Sequence, residues 1–175
     1  MFIIMHFGKD DEENPETVVR DLACSFRMHT GDAIPWALYD IHLEMPSAFR
    51  LAATDFQTGK KMMLFEWKRR RFFVWYVALA DLIEKKYGIE VWVRDMLNSC
   101  WLIKGPLFDV DPEGRITYKR RIWNRFGHYE EIYRRCREYK AEYVHDRSLN
   151  LIIVTLFNYR APGDLAWLEK IRTGI

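Results

Sequence analysis

The sequence predicts an α+β fold: an antiparallel four-strand meander packed against several helices in a single-domain sandwich. Three observations predict it. Residues 37–77 hold four short apolar or alternating segments separated by tight turns. Helical patterns mostly follow this block instead of alternating with strands, the order expected of α+β chains. The 175 residues are 49% hydrophobic and 30% charged, enough to bury a core, and no linker divides them. Residues 1–175 therefore read as one domain.

Each element has a local reason. Residues 2–7 are an apolar strand candidate, followed by an acidic loop from Lys9 to Glu13. Asn14-Pro15-Glu16 opens a helix, with Asn14 as cap, Pro15 in the first turn and Glu16 favoured by the helix dipole. Val18, Leu22 and Phe26 give it an apolar face, and Thr30-Gly31-Asp32 ends it. In 37–45, Tyr39, Ile41, Leu43 and Met45 alternate with Asp40, His42 and Glu44, the pattern of a half-buried strand. Pro46-Ser47 turns the chain into a second strand carrying Phe49, Leu51 and Ala53. Gln57 to Lys60 and Lys68 to Arg71 are hairpin loops flanking strands 62–67 and 72–77. The last of these strands is apolar on both faces, which predicts a central position.

Ala78–Tyr87 reads as a helix with Leu79, Leu82 and Ile83 inward, an Asp81–Lys85 pair, and Gly88 as its stop. Residues 89–103 fit two patterns, and the recurrence of Trp92, Met96 and Cys100 favours a helix over about 90–99. Gly105-Pro106 and Asp109 to Gly114 read as loops, and Ile116–Ile122 as a strand. Tyr129, Ile132, Cys136, Tyr139 and Tyr143 form a 3-4-3-4 stripe, predicting a helix over about 128–143. Leu149–Phe157 is a buried strand, and Asp164 caps a last helix through Ile171. This element order loosely resembles that of α+β folds such as the PsbP-like sandwich, a likeness of layout that transfers no function.

The net charge of +2 conceals an asymmetry. Residues 1–59 carry −6, residues 60–140 carry +8, and the remainder is neutral. Opposite halves of this kind suit self-complementary packing, including a homo-oligomer, or an acidic partner. Cys24, Cys100 and Cys136 are odd in number and widely spaced, the usage of reduced, buried thiols. The short apolar N-terminus lacks the features of a signal peptide, and no stretch approaches the ~20 apolar residues of a membrane span. The sequence thus predicts a cytoplasmic protein that engages no membrane.

No GxSxG, HExxH, GxxxxGK[ST] or GxGxxG motif occurs, which lowers the case for the common hydrolase, metalloprotease and nucleotide-binding classes without excluding an enzyme. Asp40, His42 and Glu44 would share one strand face, where a solvated face is the default expectation and a base or metal site the alternative. Asp109, Asp111 and Glu113 crowd one loop but do not complete a calcium loop. The expectation is of no cofactor and no metal.

Two basic–aromatic clusters are the strongest functional signal. Arg69, Arg70 and Arg71 lie at a hairpin, beside Phe72, Trp75 and Tyr76. Lys119, Arg120, Arg121, Trp123 and Arg125 form the second cluster. Cations neutralise phosphates and flat rings stack on bases, so the clusters fit a non-catalytic binding module for nucleic acid or an acidic protein surface. The alternative is a small enzyme or ligand-binding protein with a pocket between sheet and helices.

Overall fold

The computed structural model describes residues 14, 16–20, 31–38, 41–120, 133, 136 and 138–174, with the side chains of 37, 38, 41, 120 and 172–174 excepted. The chain divides into two compact units, residues 1–31 and 32–175. In the first, residues 16–20 are helical. Asn14 caps them as its sequence predicts: its Oδ1 accepts the Glu16 N–H at 2.9 Å. The strand expected at 2–7 and the apolar helix face beyond residue 20 lie outside the described residues.

The second unit is α+β, with an antiparallel sheet between two covering layers. β1 (Ala33–Leu38) and β2 (Ile41–Pro46) pair as a hairpin. β3 (Arg50–Gln57), β4 (Lys60–Trp67) and β5 (Arg70–Ala78) follow as a meander. α1 (Ala80–Tyr87) and α2 (Ile89–Ser99) come next, then the hairpin of β6 (Pro106–Val110) and β7 (Ile116–Arg120). β8 (Glu138–Asp146), β9 (Leu151–Tyr159), a 3₁₀ helix (Pro162–Lys170) and β10 (Arg172–Gly174) complete the unit.

The central sheet has the order β3-β4-β5-β9-β8, so β5 is the middle strand, as its two apolar faces predict. Alternation sends successive side chains into two cores. Phe73, Trp75 and Val77 of β5 meet Val93 and Leu97 of α2 and Phe108 of β6 on one side. Phe72, Val74 and Tyr76 meet Leu43 and Met45 of β2 on the other, under the small β1-β2-β10 sheet and the 3₁₀ helix. Burial on both faces is why β4, β5 and β9 read as continuous apolar runs.

Several local expectations are corrected. The strand expected over 37–45 is two strands, both in the small covering sheet, so three of the four predicted strands form the meander. β1 escapes the pattern because Pro35 interrupts it, which is tolerated because β1 is an edge strand. Pro106 likewise opens β6 where a loop is predicted. Leu79 and Leu82 are 56% and 60% exposed instead of inward. Ala80 and Ile83 make that contact.

The largest correction is β8. Residues 138–143 are strand where the Tyr stripe predicts helix. Tyr139 and Tyr143, four apart, share a face in either conformation, and the intervening Ala141 is what carries the two-residue period. The same odd-numbered residues pack against the α2-side core. Tyr129 and Ile132 lie outside the described residues.

Asp164 is also not the leading cap. It stands two residues inside the 3₁₀ helix, where its Oδ2 accepts the N–H groups of Arg160 and Ala161 at 2.9 and 3.1 Å. Among the described residues no helix is long and apolar enough to cross a membrane.

Candidate functional site

The first basic cluster does not project from the sheet as a unit. Only Lys68 and Arg69 form the β4–β5 turn, both with positive φ (42° and 74°), the conformation of a tight primed hairpin turn. Arg69 is exposed, with Nη1 donating to the Tyr133 carbonyl at 3.0 Å and its guanidinium 5.3 Å from the Tyr133 ring. Arg70 and Arg71 belong to β5. Arg70 Nη2 reaches Asp164 Oδ1 at 2.8 Å, and its guanidinium lies 4.7 Å from the Trp67 ring. Arg71 Nε donates to Glu66 Oε1 at 2.9 Å and Nη1 to the Leu102 carbonyl at 3.3 Å. Phe72, Trp75 and Tyr76 are core residues, so no base can stack on them.

Of the second cluster, Lys119 is exposed on β7 opposite Leu107. Arg120 ends β7, and Arg121, Trp123 and Arg125 lie outside the described residues. Asp40 is also outside them, while His42 and Glu44 lie on the exposed face of β2, the solvated-face arrangement. Asp111 Oδ1 accepts the Arg115 N–H at 2.8 Å and closes the β6–β7 turn, a structural use of that acidic loop. Cys136 is buried, and burial pushes the half-buried Cys100 thiol above its ordinary pKa.

A concave feature among the described residues lies elsewhere. β7 and β8 run antiparallel beside each other without ladder hydrogen bonds, and a cleft of about 650 Å³ opens between them. Its lining comes from 114–118 and 139–143. Three half-buried tyrosines dominate it. Tyr118 and Tyr139 meet edge to face at 5.3 Å. Tyr118 Oη donates to Glu138 Oε2 at 2.7 Å, and Tyr143 Oη donates to Glu90 Oε1 of α2 at 2.9 Å. Burial first, then the bonded carboxylate, pushes both phenols up to about 12. Both therefore stay neutral donors, with their rings fixed in orientation. Ile116 and Ala141 add apolar surface, and Arg115 and Lys140 add positive charge. Lys140 Nζ pairs with Glu142 Oε1 at 2.9 Å, an exposed contact that water and salt weaken.

The hairpin holds its place through Asn98 of α2. The Asn98 amide accepts the Phe108 N–H at 2.8 Å and donates to the Phe108 carbonyl at 3.0 Å, fastening β6 to the helix. The cleft thus has one wall on an anchored hairpin and the other on the edge of the central sheet. Residue spacing did not reveal it, because its β8 wall reads as helix. Its only sequence signal is the alternation of Tyr139, Ala141 and Tyr143. No protein-family model, curated protein or solved structure matches the chain, so the likeness of its element order to the PsbP-like sandwich has no structural match behind it.

Proposed function

We propose that this chain is a binding protein for an anionic ligand that carries a flat ring, and that the ligand enters the cleft between β7 and β8. A nucleotide unit, free or within a single strand, is the chemistry that fits best. The carrying observation is the tyrosine-lined cleft of about 650 Å³ with Arg115 and Lys140 in its walls. That volume lies in the range of small-ligand sites. Aromatic rings offer a π-face to any base, and nearby cations answer a phosphate. Exposed Lys119 on the same strand extends the positive field. The reading keeps the anionic partner expected from the sequence and moves its site from the β4–β5 hairpin to β7 and β8. Arg70 and Arg71 already have carboxylate partners, which is the reason for the move.

The test is a titration of isotopically labelled protein with AMP and, separately, with a short single-stranded oligonucleotide, at low and high salt. Amide shifts clustered at 114–118 and 139–143 are expected, with affinity falling as salt rises. Thr117→Trp, at an exposed lining position, should abolish them, and Arg115→Glu should weaken binding. Binding by the oligonucleotide alone assigns a polymer. Unchanged affinity in Thr117→Trp, or no binding of either probe, rejects the cleft as this site.

A further inference from the structure

We propose that Asp81, Glu84 and His145 form a binding site for a divalent transition ion, with zinc the ion that the donor set fits best. One carboxylate oxygen from each acid and one imidazole nitrogen all lie within 4.8 Å of one another. The arrangement has a structural origin. Asp81 and Glu84 are three residues apart on α1, so they share a helix face. His145 comes from β8, where it stands opposite Ile152 of β9. The start of α1 is held to the β8–β9 turn by Asn150. Its carbonyl accepts the Ala80 N–H at 3.2 Å and its Oδ1 accepts the Asp81 N–H at 2.8 Å. That double contact fixes the two acids beside the end of β8.

The donors select the ion. Magnesium and calcium take oxygen ligands, so an imidazole argues against both. Soft ions prefer thiolates and thioethers, which are absent from the cluster. One imidazole and two carboxylates suit zinc, leaving a fourth position for water. In a tetrahedral site with bonds of ~2.1 Å, ligand atoms sit about 3.4 Å apart. Both carboxylates are exposed and on flexible stems, so closing from 4.8 Å needs only side-chain rotation. The competing contact is weak: Arg147 Nη2 reaches Glu84 Oε1 at 3.4 Å, between two exposed groups. The adjacent carboxylate of Asp146 is engaged by Ser148 and Leu149. On the imidazole, the buried Nε2 of His145 has no hydrogen-bond partner among the described residues. Spacing concealed the cluster, because its third member lies 61 positions beyond Glu84.

A bound ion would tie α1 to β8 and stabilise the native state by mass action. The experiment is calorimetric titration of zinc chloride into the chelator-treated full chain, with magnesium as control. One zinc site is expected and no magnesium binding. Glu84→Gln, on an exposed helical position, should fold normally and weaken zinc about tenfold or more, as should His145→Gln. Zinc should also shift the His145 ring signals in an NMR spectrum. The absence of zinc binding overturns the proposal. So do wild-type zinc affinity in both variants and a His145 signal that zinc leaves unmoved.

Discussion

Asp164→Ala tests the contact that fixes the 3₁₀ helix to the β4–β5 hairpin. The wild-type carboxylate makes three hydrogen bonds, one to Arg70 at 2.8 Å and two to the N–H groups of Arg160 and Ala161. The side chains of Arg70 and Asp164 are only 15% and 11% exposed. A charge-assisted bond in such a setting contributes about 2 kcal/mol, and each N–H to carboxylate bond about 1. Removing one member of a mostly buried pair also strands the other charge, which by itself costs about 3 kcal/mol or more when burial is complete. Arg70 keeps its contact with Trp67 and reaches some solvent, so the net expectation is about 3 kcal/mol. Asp164→Asn retains an acceptor for the N–H groups and should lose roughly half of that. Urea unfolding followed by tryptophan fluorescence reads this as a fall in midpoint at constant slope. A melting point about 10 °C lower should accompany it. Burial pushes the Asp164 carboxyl up, but Arg70 and the two N–H groups outweigh burial, and its pKa lies below the ordinary value. A depressed carboxyl stabilises the fold above its unfolded pKa of about 3.9, and that contribution disappears as pH falls through the folded value. The gap between wild type and Asp164→Ala should therefore be full at neutral pH and close below about pH 4. A loss under about 1 kcal/mol, or a gap that persists undiminished at pH 3, refutes the reasoning.

Two further outcomes follow from local geometry. Lys68 and Arg69 occupy positive-φ positions that Asn and Gly adopt at lower cost, so replacing the pair by Asn-Gly should stabilise the chain by about 1 kcal/mol in the same urea assay. Destabilisation by that double change would mean that the Arg69 contact with Tyr133 outweighs the backbone strain. Tyr118 is held up at about 12 by burial and Glu138, so its neutral form stabilises the fold below pH ~10 and that contribution is lost as pH rises through 12. Ultraviolet titration of Glu138→Gln should move Tyr118, and with it Tyr159, which the same carboxylate raises, toward the ordinary range, and an unchanged curve would disprove the coupling.

The fold was legible where burial dictates pattern. β5 is apolar on both faces because it is the middle strand, covered by α2 on one side and β2 on the other, and a sequence reader sees the consequence directly. Gly88 marks the boundary between α1 and α2 because its φ of 76° suits glycine, and its N–H closes on the Glu84 carbonyl. Edge elements were harder to read. β1 and β6 contain proline, and β8 alternates tyrosine with charged residues around a single small alanine. Edge strands satisfy fewer packing constraints, so their period is carried by fewer residues.

The same physics explains why the first basic cluster does not act as one surface. A run such as Lys68-Arg69-Arg70-Arg71 reads as one charged patch, but in a strand its members leave on opposite faces. Arg70 turns toward Asp164 of the 3₁₀ helix, a partner 94 positions away that no local spacing announces, and Arg71 toward Glu66, its cross-strand neighbour on β4. Changing Arg69–Arg71 to Ala would therefore remove two ion pairs together with any binding contact, and a lost affinity in that triple variant could not be separated from lost stability. Arg115 and Lys140 are the better probes of an anionic partner. Arg115 is exposed and Lys140 shares only an exposed pair with Glu142, so their replacement changes the field at the cleft without unpairing a buried charge. The positions worth mutating are those where charge is left for a partner, and only the fold distinguishes these from charges that hold the chain together.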